Sequence, residues 1–145
     1  MRIPYAADDV FELVSDIRRY PEFIKWIRSM KVTERPDDGV VRRYRGEADV
    51  GFKGFSEAFA TDVSANSEAR EIKVELAHGP FKRLRNHWKL KPDGAGATLI
   101  DFFIDYEFRN PVLALLARAN TDLAVNKIMS AFKAEADRRF GHTHI

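Results

Sequence analysis

The start of the chain has apolar residues at the spacing of an α-helix. Between positions 7 and 19 they recur on one helical face: Val10, Leu13, Val14 and Ile17. This spacing predicts a helix over residues 7–19, with Asp8 or Asp9 capping its start. Pro21 interrupts the pattern, because proline disfavours a helix interior. A second short helix is therefore predicted over residues 22–28, and it is rich in aromatic side chains.

From Met30 to Phe108 the apolar residues recur at every second position, which is typical of strands. Six strands are predicted there, separated by turn sequences such as "PDDG" and "DGAGA". Strands joined in this way form an antiparallel meander with one apolar face and one wet face. The inward residues predicted from the alternation include Tyr44, Phe52, Phe59, Ile72, Val74, Leu76, Leu84, Trp88, Leu90, Phe102, Ile104 and Tyr106.

The last two predicted strands have outward faces of opposite charge. The earlier strand presents Arg83, Arg85 and Lys89, and the later one presents Asp101, Asp105 and Glu107. Cross-strand pairs of opposite charge contribute about 0.2–1 kcal/mol each and help to fix the register. We therefore expect these two strands to pair.

A long helix is predicted over residues 111–140. Asn110 is a suitable cap, Pro111 fits the first helical position, and Gly141 ends the helix. Roughly thirty helical residues span about 45 Å, so the helix must lie across the sheet. Its inward stripe is formed by Leu113, Leu116, Ala117, Ala124, Ile128, Ala131 and Phe132. Three of these seven residues are alanine, so the stripe contains several small side chains.

The layer between this helix and the apolar sheet face has two interpretations. The first is a fully packed core. The second is an enclosed apolar cavity of the kind that holds a hydrophobic small molecule, because small helix residues over a bent sheet leave space. Composition alone does not choose between them.

Composition excludes several classes of protein. The 145 residues include no cysteine, so disulfides and thiolate chemistry are absent. The net charge of +2 argues against a dedicated nucleic-acid module, and no DNA partner is expected. The longest apolar run, "VLALLA", is far shorter than a membrane span. We expect a soluble, intracellular chain of one domain, with any membrane contact peripheral.

No phosphate loop, zinc spacing or dinucleotide fingerprint occurs in the chain. His87 falls on the outward face and His78 at a strand end, while His142 and His144 lie in the tail. No metal site or catalytic residue is predicted from them, and no serine has a local partner signature. The inward polar candidates, each of which needs a hydrogen-bond partner if buried, are Tyr44, Asn86, Tyr106 and Asn120.

The order of motifs resembles the coenzyme Q-binding family of the START-like, polyketide cyclase-like superfamily. The resemblance rests on "RYPEFIKW", "GPFKRLRNHWKL", "IDFFIDYEF" and "RNPVLALLARANTDLAVNKIMSAF", and it covers about residues 4–140. It implies an α+β helix-grip fold, in which a curved sheet of six to seven strands wraps around the C-terminal helix. It also implies one lipid- or quinone-binding domain over residues 1–141, followed by a tail over 142–145. Only "MRI" precedes Pro4, so the first strand is expected to be a stub.

The resemblance implies a ligand tunnel between sheet and helix, without known catalysis. Ubiquinone is the implied ligand, and Phe23 and Trp26 are expected at the tunnel rim, or else as staples of the short helices. The function implied is a carrier or chaperone of ubiquinone or another prenyl lipid, supporting respiration. The residues expected to line the tunnel are Phe23, Trp26, Tyr44, Phe52, Phe59, Trp88, Phe102, Ile104, Tyr106, Leu116, Asn120 and Leu123.

Two alternatives remain at the level of sequence. Bacterial relatives of the family are described as ribosome association toxins, and the basic segment "KRLRNHWKLK" is the support for such contact here. Cyclases and dehydratases of the superfamily make a tunnel enzyme the other alternative, which requires a buried acid or base of perturbed pKa. For the carrier, we expect a cytoplasmic location, peripheral at the inner membrane.

Overall fold

The computed structural model describes residues 1–36, 39–52, 55–119 and 121–141, without the side chains of residues 52, 55, 113, 116, 117, 121 and 124. The strands are β1 Arg2–Ile3, β2 Ile27–Arg35, β3 Val41–Phe52, β4 Phe55–Asn66, β5 Glu71–His78, β6 Phe81–Pro92 and β7 Thr98–Phe108. Within the described ranges they form one antiparallel sheet in the order β1-β7-β6-β5-β4-β3-β2. The predicted α+β fold, a curved sheet with a C-terminal helix, is confirmed.

The helices in the described residues lie before β2 and after β7. They are α1 Ala7–Ser15, a 3-10 helix Ile17–Glu22, α2 Pro111–Ala119 and α3 Thr121–Phe140. No helix among the described residues has the length and apolar character needed to cross a bilayer. Two short helices near the N-terminus were expected, and two are present, but their bounds differ from the prediction.

The predicted bounds of the first two helices are wrong. The α-helix ends at Ser15 rather than residue 19, because Asp16 takes a ψ of 72°, outside the helical region. Residues 22–28 are not a helix, since the 3-10 helix that contains Pro21 already ends at Glu22. The chain then joins the sheet, where Ile27 pairs with Val50. Sheet pairing therefore overrides the local helical signal three residues before the predicted strand start at Met30.

The first strand is the expected stub. Arg2 pairs with Leu99 and Ile3 with Thr98, so β1 adds two residues beside β7. Although short, the strand places Ile3 in the core, where it is 1% exposed. The sheet therefore has seven strands in the described residues, with β1 at one edge.

The β6–β7 pairing is confirmed, and its register matches the charges. Arg83 lies opposite Glu107, Arg85 opposite Asp105 and Lys89 opposite Asp101. Arg83 also reaches diagonally, with its Nε 3.1 Å from Asp105 Oδ1. The basic side chains and Asp101 are largely exposed, and Asp105 and Glu107 are half-buried. Each such surface pair contributes little free energy but opposes a slip in register.

The C-terminal helices begin and end where the sequence predicted. The Val112 N–H donates to Asn110 Oδ1 at 2.8 Å, which caps α2 in the manner expected of asparagine. At the other end, the Gly141 N–H donates to the Asp137 carbonyl at 2.9 Å. Residue 120, between α2 and α3, lies outside the described residues, so one unbroken helix over 111–140 stays a prediction.

The core lies where α1 and α3 cover the sheet. Val10 and Leu13 of α1 and Phe132 of α3 form one buried cluster with strand residues such as Trp88 and Leu90. The Trp88 and Phe132 rings meet edge to face, with centroids 4.9 Å apart. This contact joins the C-terminal helix to the middle of the sheet and closes one part of its inner face.

Candidate functional site

The inner face of the sheet is closed where α1 and α3 cover it. Ile72, Leu90 and Ile100 are at most 4% exposed, and they pack in one cluster with the helices. Trp88 lies between Ile72 and Phe102 in the register and is also 4% exposed. We call this buried region the closed end.

The same inner face is accessible further along β5, β6 and β7. Five apolar or aromatic residues there are only half-buried, although they alternate in phase with the closed end: Val74, Leu76, Leu84, Ile104 and Tyr106. The register joins them, since Leu84 lies opposite Tyr106, and Asn86 opposite both Val74 and Ile104. Because alternation is the same throughout, we attribute their exposure to incomplete coverage by the described residues of the helices. We call these five residues the accessible inner face.

Aromatic clusters border the accessible inner face on both sides. Towards the closed end, Trp88 meets the ring of Phe102 edge to face at 4.7 Å. Towards the β5–β6 turn, Phe81 meets Phe59 at 5.4 Å and stacks on Phe108 at 4.7 Å. Aliphatic side chains between aromatic walls form the usual lining of an apolar ligand site.

The chain approaches itself closely beside one of these walls. Gly79 has a φ of +152°, and a Cβ there would lie 2.4 Å from the Cβ of Phe59. A side chain at this position is therefore excluded by both conformation and space. The glycine of the "GPF" motif thus lets the β5–β6 turn pack against Phe59 and brings Phe81 into the wall.

Two of the predicted inward polar residues are satisfied within the protein. The buried Tyr44 hydroxyl donates to the Ser15 carbonyl, and burial raises the pKa of this hydroxyl. Asn86 donates from Nδ2 to the Phe103 carbonyl at 2.7 Å and accepts from Trp88 Nε1 at 2.8 Å. The polar groups of both residues therefore have partners within the protein, and Asn86 fixes the orientation of the Trp88 indole.

Tyr106 differs from those two residues. Its hydroxyl has no hydrogen-bond partner among the described residues, and the side chain is half-buried on the accessible inner face. Its ring meets the stacked pair Phe81 and Phe108 edge to face, with centroids 6.5 Å and 5.9 Å away. Because this hydroxyl has no partner among the described residues, it can donate a hydrogen bond to a bound polar group or accept one from it.

Phe23 and Trp26 lie where the N-terminal segment meets α3 and the sheet. Phe23 contacts Phe132 edge to face at 5.3 Å, and the Arg139 guanidinium lies 5.8 Å from its ring centroid. Trp26 is half-buried against the core, and its carbonyl accepts from the Gly51 N–H at 2.9 Å. These contacts hold the segment that follows the 3-10 helix against α3 and the sheet, and the role of the two residues at a tunnel rim stays a prediction.

The other predicted lining residues separate into groups. Phe59, Phe102, Ile104 and Tyr106 are half-buried, whereas Tyr44 and Trp88 belong to the buried core. Leu123 is 53% exposed in the first turn of α3, so it lies on the surface rather than in an enclosed layer. Asn120 and the side chains of Phe52 and Leu116 lie outside the described residues.

The predicted lining omits part of the accessible inner face. Val74, Leu76 and Leu84 were predicted to face inward but were not assigned to the lining. Alternation identifies such residues, but it cannot separate a covered position from an uncovered one. Phe81 was missed because it begins its strand directly after the turn.

The groups with the largest pKa shifts lie at the closed end. Hydrogen bonds from Arg138, together with those from Arg139, lower the pKa of Glu135 to about 2. Tyr20 is half-buried, but desolvation of its hydroxyl, which donates to the Val14 carbonyl, raises the pKa of this group. None of these is on the accessible inner face, so the acid–base alternative gains no support from the described residues.

The histidines do not form a metal site in the described part of the chain. His78 is exposed, and His142 and His144 lie outside the described residues. His87 faces outward as predicted, with 39% of its side chain exposed and Nε2 3.9 Å from Glu71 Oε2. No group of three metal-ligating side chains occurs in residues 1–36, 39–52, 55–119 and 121–141.

A family model described as polyketide cyclase/dehydrase and lipid transport matches residues 3–133. The ribosome association toxin of Escherichia coli K12 is 30% identical over 129 residues, which cover 88% of this chain and 78% of the toxin. The mitochondrial coenzyme Q-binding protein of Schizosaccharomyces pombe is 28% identical over 138 residues, or 92% of this chain and 82% of that protein.

Solved structures give the same result for the fold. An 18 kDa protein from Caulobacter crescentus, known from its solution structure, is 40% identical, with a TM-score of 0.80 over 97% of this chain and 95% of that one. A START superfamily protein from Mycobacterium smegmatis has a TM-score of 0.82 at 22% identity, covering 95% and 94% of the two chains. The resemblance drawn from the sequence motifs is thereby confirmed.

Proposed function

We propose, from the premise that this chain belongs to the polyketide cyclase/dehydrase and lipid transport family, that it binds a hydrophobic small molecule on the accessible inner face. The observation that supports this best is the row of half-buried apolar residues facing the helices, from Val74 to Tyr106. Removing apolar surface from water is the dominant favourable term in folding and binding. A bound apolar molecule would complete the coverage that α1 and α3 leave unfinished.

The ligand we propose is ubiquinone or a related prenyl lipid. Coenzyme Q-binding proteins are among the relatives of this chain, at 28% identity for the Schizosaccharomyces pombe protein. A prenyl tail suits the aliphatic surface of Leu76, Leu84 and Ile104, and each Å² it buries contributes about 25 cal/mol. The Tyr106 hydroxyl is placed to donate to a carbonyl or methoxy oxygen of the quinone head.

The proposed role is that of a carrier or chaperone that supports respiration. A bilayer is as apolar as the accessible inner face, so transferring a lipid from one to the other gains little free energy. Affinity for a ligand that resides in the membrane is therefore modest, which suits exchange rather than storage. This role requires a protein at the cytoplasmic side of the inner membrane, in peripheral contact with it.

Adjacent residues of β7 provide a matched test of the site. Ile104 faces the accessible inner face, whereas Phe103 is 50% exposed on the outer face. We expect Ile104→Trp to weaken binding of a short-tailed ubiquinone at least about tenfold, because the larger ring fills the space the guest needs. Phe103→Trp should leave binding unchanged. The measurement is calorimetric titration, and equal affinities for the two variants would contradict the proposed site.

The identity of the ligand is tested separately. Native mass spectrometry of the protein purified from its own organism should show a co-purifying molecule of quinone mass, and organic extraction should release it. Tyr106→Phe should weaken binding by about 0.5–1.5 kcal/mol if the hydroxyl bonds the head group. A co-purifying lipid without carbonyl or methoxy oxygens, together with unchanged binding by Tyr106→Phe, would exclude the quinone.

A second candidate function is ribosome contact, favoured by the 30% identity with the Escherichia coli ribosome association toxin. The basic residues of β6 would provide the contact, but many of them face carboxylates. Arg85 Nε lies 3.6 Å from Asp105 Oδ2, and Lys91 Nζ lies 3.2 Å from Asp101 Oδ2. Co-sedimentation with large ribosomal subunits that weakens steeply with added salt would support this candidate.

A further inference from the structure

The outer face of α2 exposes an unusual amount of apolar surface. Val112 is 63% exposed and Leu115 is 67% exposed, the largest values among the big apolar side chains described. Residues three positions apart share one side of a helix, so the two side chains form a single patch. Ala114, on the other side, is buried at 7% and faces the protein. Leu123, in the first turn of α3, is a third exposed apolar side chain near the start of the C-terminal helices.

Positive charge gathers at the end of β7, just before α2 begins. Lys82, Arg83 and Arg118 all approach one carboxylate, Glu107 at the end of β7. Arg118 belongs to α2 itself, and its side chain is 71% exposed. Arg109, two residues before α2, is exposed and has no ion pair among the described residues. Three cations around one carboxylate leave an excess of positive charge at this end of the molecule.

The acidic groups nearby do not cancel this excess. Asp105 is shared by Arg83 and Arg85, as their ion pairs show. Asp122, at the start of α3, is the other carboxylate on this part of the helices. The apolar patch on α2 therefore lies next to an excess of positive charge. Helices that bind anionic lipid surfaces combine apolar and basic residues in this way.

We propose that the outer face of α2 docks the protein on an anionic lipid bilayer, with Val112 and Leu115 inserted and Arg118 among the head groups. The patch, together with these cations, is named the docking face. This inference rests on the proposed function, because a carrier of membrane lipids must contact the membrane. It goes beyond that function by identifying the surface that contacts the bilayer. Arg118 contacts Glu107 at the end of β7, and Tyr106 is the residue before it in that strand. The docking face therefore lies at the same end of β7 as part of the accessible inner face, although Glu107 and Tyr106 point to opposite faces of the sheet.

Charge favours a bilayer over a second copy of the chain. A twofold dimer built on the docking face would bring Arg118 and its neighbours against the same residues of the partner. Like charges brought together in this way oppose association, whereas phosphate head groups neutralise them. An anionic membrane satisfies both the apolar side chains and the cations around them.

The test is co-sedimentation with vesicles of phosphatidylcholine containing anionic phosphatidylglycerol, compared with pure phosphatidylcholine. We expect the wild-type chain to bind the anionic vesicles and to be released by salt. The double variant Val112→Ser with Leu115→Ser should lower the partition constant at least about tenfold. Its matched control is Leu99→Ser with Phe103→Ser, which removes two exposed apolar side chains from the outer face of β7. Equal loss in the two double variants would overturn the inference.

The contribution of charge is tested with a second pair of variants. Arg118→Glu should weaken binding to anionic vesicles, because it reverses a charge at the docking face. The difference in partition constant between this variant and the wild type should grow as the salt concentration falls. Arg2→Glu, at an exposed ion pair with Asp93, reverses the same charge away from that face and should have little effect. An unchanged partition constant for Arg118→Glu would contradict the role of the cations.

Light scattering tests whether a second copy of the chain covers the docking face instead. If the wild type is a dimer that the double serine variant makes monomeric, and the wild type binds no vesicles, the inference is overturned.

Failure of this inference can be separated from failure of the proposed function. Binding of a short-tailed ubiquinone in solution does not need the membrane, so the double serine variant should retain it fully. Guest binding without vesicle binding overturns the docking face alone. Vesicle binding sensitive to Leu115, without guest binding, supports the docking face and overturns the proposed function instead.

Discussion

At the scale of single residues, the fold depends on a few buried polar contacts that no sequence pattern predicts. Asn86 accepts a hydrogen bond from the Trp88 indole at 2.8 Å, whereas alternation predicted only that its amide faces inward and needs a partner. Glu135 is 4% exposed and accepts hydrogen bonds from both Arg138 and Arg139, with Nε of Arg139 2.6 Å away. Such buried polar groups are stabilising only while every partner stays in place.

Glu135 should make stability depend on pH. Its pKa of about 2 in the folded protein lies below the ordinary value of 4.5, so the ionised form stabilises the fold. This contribution, roughly 2–3 kcal/mol, is complete above about pH 4.5 and is lost as the pH falls towards 2. Urea unfolding should show Glu135→Gln less stable than wild type at pH 7, with the difference shrinking through that range.

The control for this prediction is Glu68→Gln, which neutralises an exposed carboxylate in a turn. Its free energy of unfolding should match that of the wild type at every pH tested. A constant difference between Glu135→Gln and wild type from pH 7 to pH 2 would show that shape, rather than charge, explains the loss.

At the scale of elements, local signals worked where neighbouring structure did not compete with them. The alternation of β6 and β7 predicted both the faces and the pairing of these strands, and Asn110 predicted the start of α2. The N-terminal segment behaved differently. Residues 22–28 have helical spacing, but Ile27 can pair with Val50 only as a strand. Each strand pair satisfies backbone N–H and C=O groups that a helix of about two turns would leave without partners, so these residues join the sheet.

The cap of α2 gives a prediction at this scale. Asn110→Ala removes the acceptor of the Val112 N–H and should cost about 1 kcal/mol in local stability. Hydrogen exchange of the Val112 amide should therefore accelerate roughly fivefold, while Asn110→Ser, which keeps a capping oxygen, should restore most of the protection. Unchanged exchange in Asn110→Ala would mean that packing alone holds the first turn.

At the scale of the whole molecule, coverage of the sheet divides one continuous apolar face into two regions. Trp88 and Leu90 in β6 are sealed under α1 and α3, whereas Leu84, on the same face of the same strand, is half-buried. The closed end supplies the stability of the fold. The accessible inner face, with Tyr106 among its residues, is what the proposed function uses.

This division predicts unequal protection along β6. Amides near Leu84 should exchange at least about tenfold faster than those near Leu90, because local opening is easier where apolar contacts are incomplete. A saturating concentration of short-tailed ubiquinone should reduce this difference in exchange rate, because the bound molecule protects the amides near Leu84. The measurement is hydrogen exchange with and without the guest, and uniform protection in the free protein would contradict the division.

By itself, the sequence determined the strands, their faces, the pairing of β6 with β7, the caps of the C-terminal helices and the resemblance to a family. These follow from local rules, since alternation, charge and capping act between residues that are near in the chain or directly opposed. Only the tertiary structure decided which inward residues are sealed. Whether Trp88 or Leu84 meets a helix depends on where α1 and α3 settle, and contacts between such distant segments leave no periodic trace in the sequence.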